Sequence, residues 1–448
     1  MSLRVLVVAN DHVGSRMAGP GIRSWRFADE LARRFDVTLV VPYETDLVSD
    51  DFAIRVENPS ATREMIALAR GFDVVVAQRL TVPAMRTLAG AGVRIIYDLY
   101  APVAIENLAF DTLEERSRPR ELHYRLNALE QTVALATGSA FVCASEKQRD
   151  LWLGALLASG RIDHETYGRD PSLRNLIDVV PFGLDPQPPV RSRPALRGVV
   201  PGIGEDDRIL LWGGGIWNWF DPLTVIRAVD HVRRDRDNVR LYFLGTQHPN
   251  PQIAEMKMTG RAVALADELG LRDRHVFFNF GWVPYEQLGA HLLEADLGVA
   301  AHFDDLETRF AFRTRLVDCI WAGLPIVTTR GDALSELVEA RGLGRSVDAG
   351  DVGGYAAALE ELLAEQELRE RLAPAFAEMR AELAWPRAVE PLARLVAGRD
   401  EVAAAATGGA LARWTLTRLE YAVRNRGPAG AARRALRLAL PRGRPPLG

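Results

Sequence analysis

Short apolar runs rich in Val and Ile alternate with longer stretches of helical period along most of the chain. This alternation predicts parallel strands covered by helices. In the first half, strands are predicted at Arg4–Ala9, Val37–Val41, Asp73–Ala77, Arg94–Asp98, Ser139–Cys143 and Ile177–Val180. The predicted helices between them include Ile22–Arg34, Arg120–Ala136 and Glu146–Leu157.

Proline-rich sequence between Pro181 and Gly204 follows this first series and is typical of an interdomain linker. A second series has strands predicted at Arg208–Trp212, Val239–Leu244, His275–Phe278, Leu297–Ala300 and Pro325–Thr328. Its predicted helices are Asp221–Arg234, Ile253–Leu269, Tyr285–Ala295, Arg313–Ala322 and Tyr355–Leu363. We therefore expect two facing, doubly wound α/β domains, whose strand C-termini line a shared ligand-binding cleft.

Composition narrows the class of protein further. The 448 residues are 48% hydrophobic and 25% charged, as in an ordinary globular protein. The net charge of −4 gives no overall reason to expect a nucleic-acid partner. Cys143 and Cys319 lie far apart without metal-ligand spacing, which predicts no metal site and favours a reducing, cytoplasmic compartment.

The end of the chain differs in charge from the rest. From Leu411 onward there are nine Arg and one acid, a charge of +8, whereas the other 46 basic and 58 acidic residues give −12. Trp414, Leu416 and Leu419 are interspersed with these Arg residues. Basic amphipathic segments adsorb to anionic membranes, and a disordered solubilising tail is the alternative.

The first glycine motif is Ala18–Ser24, at the start of a predicted helix. Glycines there let backbone N–H groups approach an anion, with the helix dipole behind them. The candidate contacts are Gly19, Gly21 and Arg23. The alternatives are a structural turn and a dinucleotide-binding fingerprint with Glu44 as its acid, although Ser24 stands where that fingerprint needs a glycine.

The second glycine motif follows the strand that ends at Trp212. Three consecutive glycines at a strand end are costly unless a ligand needs close access to the backbone. The candidates are Gly213, Gly214, Gly215 and the nearby Trp219. The alternative is a tight turn, with Trp217 and Trp219 packing at a domain interface.

The third motif is Asp304–Val327, which runs from a strand end through a charged loop into a helix and the next strand. Carboxylates accept hydrogen bonds from sugar hydroxyls, and Arg binds phosphate in a bidentate manner, so the loop suits a ligand containing both. The alternative is a solvated loop, but Phe310 and Phe312 are interleaved with the charges.

This third motif resembles the nucleotide-sugar signature of family 4 glycosyltransferases with the GT-B fold. The resemblance extends over most of residues 1–398, through motifs in the family's order. These are the first glycine motif, Tyr97–Tyr100, Ala144–Glu146, Pro181–Gly183, Gly281–Pro284, Glu294–Asp296 and the signature itself. Trp385-Pro386, followed by a helix, is similar to the family's crossover back to the first domain.

The resemblance implies a division of the chain. Residues 1–185 would form the acceptor-side Rossmann-like domain, 186–205 the linker, and 206–384 the nucleotide-sugar-binding domain. Residues 385–398 would be the crossover helix, and 399–448 the basic, partly amphipathic tail.

The resemblance also implies roles for individual residues. Asp318 matches the second acid of the family's Glu-x7-Glu element, which holds the donor ribose hydroxyls. The first acid falls on Phe310, so Glu307 is expected to contact the donor sugar, with Arg309 nearby. The diphosphate-binding cations fall near Gly215 and Phe220, and Arg313, Arg315 or the glycine backbone are expected to replace them. Asp98 and Tyr100 are the remaining catalytic candidates, Tyr100 standing where many relatives have His.

The implied activity is metal-independent, cofactor-free transfer of a sugar from a nucleotide-sugar to an acceptor hydroxyl, with retention of configuration. The acceptor would be a glycan, a lipid-linked molecule or a small molecule, in surface polysaccharide or glycosylated-metabolite biosynthesis. Two alternatives stay open. One is a sugar-nucleotide epimerase using Glu307, Asp98 and His302; the other is an inactive sugar-nucleotide-binding scaffold, given the changes at Gly215, Phe220 and Phe310.

Overall fold

The structure, a computed structural model, describes residues 2–111, 113, 117–191, 193–248, 250, 253, 256–398 and 414–424. The predicted tail therefore lies outside the described residues, except for 414–424. No helix within the described part is both long enough and apolar enough to cross a membrane.

The first domain is a seven-stranded parallel sheet in the order β3-β2-β1-β4-β5-β6-β7. Its strands are β1 (Arg4–Val8), β2 (Asp36–Val41), β3 (Ala53–Val56), β4 (Val74–Ala77), β5 (Arg94–Asp98), β6 (Ala140–Cys143) and β7 (Ile177–Val179). Its helices are α1 (Gly19–Ala32), α2 (Thr62–Ala69), α3 (Val82–Gly90), α4 (Val103–Asp111), α5 (Arg118–Thr137), α6 (Glu146–Ala158) and α7 (His164–Arg169). The central strands are apolar on both faces and fully buried, as helices on both faces require.

The second domain repeats this plan with six parallel strands in the order β10-β9-β8-β11-β12-β13. Its strands are β8 (Arg208–Trp212), β9 (Val239–Phe243), β10 (Val276–Phe278), β11 (Leu297–Val299), β12 (Ile326–Thr329) and β13 (Gly344–Val347). Its helices are α8 (Pro222–Val232), α9 (Lys257–Glu268), α10 (Leu288–Glu294), α11 (Leu306–Phe310), α12 (Thr314–Ala322), α13 (Ala333–Ala340), α14 (Val352–Ala364) and α15 (Leu368–Leu383). A short 3-10 helix, Tyr285–Gln287, precedes α10.

The predicted pair of doubly wound domains is confirmed. Each sheet reverses its strand order beside its first strand: Val5 pairs with Val37 on one side and Val74 on the other, and β8 lies between β9 and β11. Open α/β sheets bind ligands at such switch points. The loops that follow β1 and β8 are therefore brought to the cleft.

The chain returns to the first domain after α15, through α16 (Trp385–Ala388) and α17 (Glu390–Ala397). The Trp385 indole is fully buried and lies against Phe182, with ring centroids 5.1 Å apart. Arg94 donates to the backbone oxygens of Leu395 and Val396 at the end of α17. These contacts attach the last helices to the first sheet.

Direct hydrogen bonds join the domains across the cleft. The buried Gln148 amide on α6 donates to the backbone oxygen of Tyr100 at 2.7 Å and, across the cleft, to that of Phe310 at 2.8 Å. The Asn250 amide donates to the Asp11 carboxylate at 2.7 Å. The two domains are thus held close around the space between them.

Candidate functional site

A cavity of about 980 Å³ lies between the domains. The first domain contributes the start of α1, the loop after β5, α4 and the start of α5; the second contributes the glycine loop after β8 and the segment from α11 to α12. The predicted site residues that line it are Gly19, Tyr100, Gly213, Gly214, Gly215, Trp219, Glu307, Arg313, Arg315 and Asp318.

The glycine loop after β8 presents bare backbone to the cavity. Gly214 has a φ of 89°, which an L side chain rarely adopts. A Cβ on Gly213 would contact the Arg315 side chain at 3.7 Å. α12 therefore lies against this loop, and the bare backbone of the loop is open to a ligand.

Arg315 bridges the two positions where a diphosphate-binding cation was expected. Its Nη2 donates to the Gly215 backbone oxygen at 2.8 Å, and its guanidinium lies 4.2 Å from the Phe220 ring centroid. Burial, together with the neighbouring Arg313 charge, lowers the pKa of Arg315 to about 9. Nη1 has no hydrogen-bond partner among the described residues. The site thus contains a buried cation that an anion would stabilise.

Two helices begin close to each other at this end of the cavity. The start of α1 at Gly19 faces the start of α12, because a Cβ on Gly19 would lie 3.8 Å from the Thr314 side chain. Backbone N–H groups at helix starts favour a bound anion. Arg315 lies in the first turn of α12, so charge and dipole act at the same place.

Glu307 and Arg313 form a buried pair on the adjoining wall. Arg313 donates from Nη1 and Nη2 to the two Glu307 oxygens at 3.0 and 2.5 Å, and to Thr308 Oγ1 at 3.1 Å. Burial raises the pKa of Glu307, and Arg313 opposes that rise. Asp305 caps α11 by accepting from the Thr308 N–H at 2.9 Å, which positions the acid in that helix's first turn.

Two other carboxyl groups in the cavity have strongly raised pKa values. Burial raises the pKa of Asp318 to about 7, with Arg315 opposing the rise. Glu106 on α4 also reaches about 7, through burial and the charge of Glu307. Glu106 was not predicted from the sequence. The available signal was its position in α4, the helix that follows β5 at the sheet edge where ligands bind.

An aromatic surface completes the second-domain side. Trp217 and Trp219 stack with centroids 5.1 Å apart and planes 12° from parallel. His248 lies 5.4 Å from both Trp217 and Trp282. All four rings line the cavity, and such a surface suits a flat, aromatic group of a ligand.

Arg23 and Asp98 form a buried ion pair within the first domain and do not face the cavity. Arg23 is fully buried and donates from Nε and Nη2 to the Asp98 carboxylate at 2.7 and 2.8 Å. It also donates to the backbone oxygens of Val180 and Pro181. The pair ties α1 to β5 and to the segment just after β7, and neither side chain lines the cavity, so the geometry gives no support to a ligand contact by Arg23 or a catalytic role for Asp98.

Three further candidate residues, Gly21, Arg309 and His302, also do not line the cavity. Gly21 is needed for packing, because a Cβ there would lie 2.2 Å from the His12 backbone oxygen. Arg309 is exposed and lies over the Phe310 ring, away from the cavity wall. His302 is fully buried beneath Phe220, and burial lowers its pKa well below the usual value.

No group of three or more His, Cys, Asp or Glu side chains within the described ranges is placed to hold a metal ion.

Tyr100 lines the cavity, and the Arg23 guanidinium lies 4.9 Å from its ring centroid. Burial raises the pKa of Tyr100 well above its usual value, so its hydroxyl stays protonated and can donate.

Comparison with known proteins adds a family match, a relative in sequence and two similar solved structures. Residues 207–365 match the family model described as "Glycosyl transferases group 1". A D-inositol 3-phosphate glycosyltransferase of Geodermatophilus obscurus is 27% identical over 318 residues, or 70% of this chain; the match spans 63% of that relative's length. Among solved structures, WaaG, a glycosyltransferase of lipopolysaccharide biosynthesis, matches 88% of this chain and 100% of its own at 17% identity, with a TM-score of 0.59.

Anabaena HepE, solved in complex with UDP-glucose, matches 88% of this chain and 98% of its own at 13% identity, with a TM-score of 0.60. The fold is therefore that of the GT-B glycosyltransferases: two parallel-sheet α/β domains that face each other across a cleft.

Proposed function

We propose that this chain is a glycosyltransferase that moves a sugar from a nucleoside diphosphate sugar to an acceptor hydroxyl. The group 1 match covers the domain that would hold the donor, and the cavity is large enough for a donor and an acceptor together. The observation that supports the proposal most is the position of Arg315, between Gly215 and Phe220. At both places a cation is expected and the sequence has none.

The donor diphosphate would lie against the glycine loop Gly213–Gly215 and the starts of α1 and α12. Arg315 would donate to it with Nη1, and the two helix dipoles would add positive potential. Charge that develops on the leaving diphosphate would be stabilised by groups already in place. This arrangement supports a metal-independent reaction that needs no separate cofactor.

The nucleoside would occupy the second-domain side of the cavity. Ionised Asp318 would accept hydrogen bonds from the ribose hydroxyls, and the aromatic surface of Trp217, Trp219, His248 and Trp282 would hold the base. HepE has been solved with UDP-glucose bound, which makes a uridine diphosphate sugar the first donor to test.

The transferred sugar would lie between the two acids of the cleft. Glu307, held in place by Arg313, and Glu106 from the opposite domain would accept hydrogen bonds from its hydroxyls. Glu106 thus supplies from the first domain the carboxylate that Phe310 does not provide. Tyr100, with its protonated hydroxyl, would donate at the acceptor side.

We further propose transfer with retention of configuration, as in a divergent member of family 4. The anomeric C–O bond to the diphosphate breaks, the acceptor oxygen bonds to the same face of the anomeric carbon, and its proton passes to the leaving diphosphate. Holding the two reacting groups together in the closed cleft would supply much of the rate. No protein nucleophile is required.

The acceptor would be a glycan, a lipid-linked molecule or a small molecule, in surface polysaccharide or glycosylated-metabolite biosynthesis. The relative from Geodermatophilus obscurus is named for D-inositol 3-phosphate, so a cyclic polyol phosphate is a suitable first acceptor.

Both Cys are free thiols, which favours a cytoplasmic location. Exposed Leu416 and Leu419 within the Arg-rich tail support peripheral contact with an anionic membrane. Equal liposome co-sedimentation by full-length and Leu411-truncated protein would refute that contact.

The test is incubation with UDP-, GDP- and dTDP-sugars, with thermal stability measured first and nucleoside diphosphate release second. A glycosyltransferase is stabilised by one donor class and releases its diphosphate when an acceptor is added. Binding without release identifies an inactive scaffold. An isomerised donor, or hydrolysis that an added acceptor does not divert into a glycoside, identifies an epimerase, which is disfavoured because Asp98 is bound by Arg23 and His302 lies off the cavity.

A further inference from the structure

We propose that the helix formed by residues 414–424, here called the C-terminal helix, completes the acceptor subsite of the cleft. In this proposal the Tyr421 ring packs against the apolar face of a ring-shaped acceptor, a sugar or cyclic polyol. The inference rests on the proposed glycosyltransferase function and deepens it, because it assigns a role to a segment outside both domains.

The C-terminal helix is anchored to the first domain on one face. Trp414 is only 7% exposed and joins the apolar cluster of that domain. Thr417 and Tyr421 follow it at helical spacing and are also partly buried, whereas Leu416 and Leu419 are 68% and 59% exposed. This periodicity shows one face packed on the protein and the other facing outward.

A pair of charged contacts fixes the helix along α5. Arg118 at the start of α5 donates from Nη2 to Glu420 at 2.7 Å and from Nε at 3.2 Å. Burial of the Trp414 ring and this charged pair act at opposite ends of the helix. Together they set its rotation, so that Tyr421 points toward the cavity.

Tyr421 forms part of the cavity wall itself. Its ring lies 6.4 Å from that of His123, with the planes 42° apart. Phe110 on α4 and Tyr124 on α5 also line the cavity, and α4 packs against α5, so these two helices and the C-terminal helix all contribute aromatic rings to its wall. Aromatic faces attract the C–H groups of a sugar or cyclitol ring.

The position of this part of the wall indicates the acceptor rather than the donor. It is built from the first domain, whereas Arg315, Asp318 and the glycine loop belong to the second. Glu106 lies on α4, which packs against both α5 and α11, and its carboxyl group is close enough to Glu307 and Arg313 for their charges to act on its pKa. A ring held against Tyr421 would therefore have its hydroxyls directed toward the transferred sugar.

The test compares Tyr421→Ala, Tyr421→Phe and the control Val423→Ala, which alters the outward face of the same helix. The acceptor probes are D-inositol 3-phosphate and methyl α-glucoside, with UDP-glucose as donor. Tyr421→Ala should raise the KM for the probes about tenfold, the loss expected for one ring contact, while the donor KM and the slow hydrolysis of UDP-glucose stay unchanged. Tyr421→Phe and Val423→Ala should behave as the parent protein.

A chain ending at residue 413 gives a second measurement. It should retain donor hydrolysis and lose acceptor affinity at least as strongly as Tyr421→Ala. An unchanged acceptor KM in both Tyr421→Ala and the shortened chain would overturn the proposal, as would an equal fall in donor and acceptor affinity. Failure of the proposed function is distinguishable, because the parent protein would then neither bind nor turn over any nucleotide sugar.

Discussion

Replacing Arg315 with methionine removes the buried guanidinium while keeping an unbranched side chain against Phe220 and Trp212, whose ring centroids lie 4.2 and 4.7 Å from it. In the donor-free protein the cation is strained: the fall of its pKa from 12.5 to about 9 corresponds to on the order of 5 kcal/mol against the charged form. Arg315→Met should therefore leave the free protein at least as stable as before.

Donor binding should respond in the opposite direction. A hydrogen bond to a charged group contributes roughly 1.5–3 kcal/mol, so losing the contact to the diphosphate should weaken donor affinity roughly 10- to 150-fold. Isothermal titration with UDP measures the affinity, and thermal unfolding with and without UDP measures the stability. Arg309→Met is the matched control, because that arginine is exposed and lies off the cavity wall.

Unchanged UDP affinity in Arg315→Met would refute the assignment. A parallel loss of stability and affinity would also contradict it, since the guanidinium would then be a structural group and not one that waits for an anion.

The remaining predictions concern the three carboxyl groups. Burial and the charge of Glu307 raise the pKa of Glu106 to about 7, and burial raises that of Asp318 to about 7 as well. Because the ionised forms are the ones that accept from sugar hydroxyls, kcat/KM should rise with pH through about 7 and then level off. Glu106→Gln should be slower at every pH and show a shallower rise, the part that Asp318 contributes; an unchanged profile would remove Glu106 from the site. Asp318→Ala should abolish donor turnover while far-UV circular dichroism and cooperative unfolding stay intact; full activity would remove its ribose-binding role. Glu307→Gln leaves the Arg313 cation buried without its anion, which costs about 3–5 kcal/mol; unlike Arg315→Met it should lower the melting temperature as well as activity, and an unchanged melting temperature would show that the pair is not structurally coupled.

Strands with continuous apolar sequence were predictable from the chain alone. β1, β5 and β8 lie within a residue of their predicted bounds, because both faces of each are buried and their Val, Ile and Leu runs are unbroken. The edge strands β3 (Ala53–Val56) and β13 (Gly344–Val347) were missed. Each has an Arg, and β3 is largely exposed, so neither has the apolar run of a central strand.

The site was predictable where one segment contains it and less so where distant segments meet. Gly213–Gly215 were found from a local motif and Asp318 from the family resemblance of one continuous segment, and both line the cavity. The pairing of Arg23 with Asp98 joins residues 75 positions apart, and nothing in the local sequence shows that each neutralises the other. Glu106 and Tyr421 reach the cavity only through the packing of α4 and the C-terminal helix.

Sugar transfer with retention can be read directly from the product formed from a nucleotide sugar. UDP-glucose and D-inositol 3-phosphate are incubated with the protein, and the product is analysed by proton NMR at the anomeric position. Retaining transfer yields a new α-glycosidic linkage, the configuration of the donor, with one UDP released for each linkage formed. A β-linkage would contradict retention, and an isomerised nucleotide sugar formed in place of a glycoside would contradict sugar transfer itself.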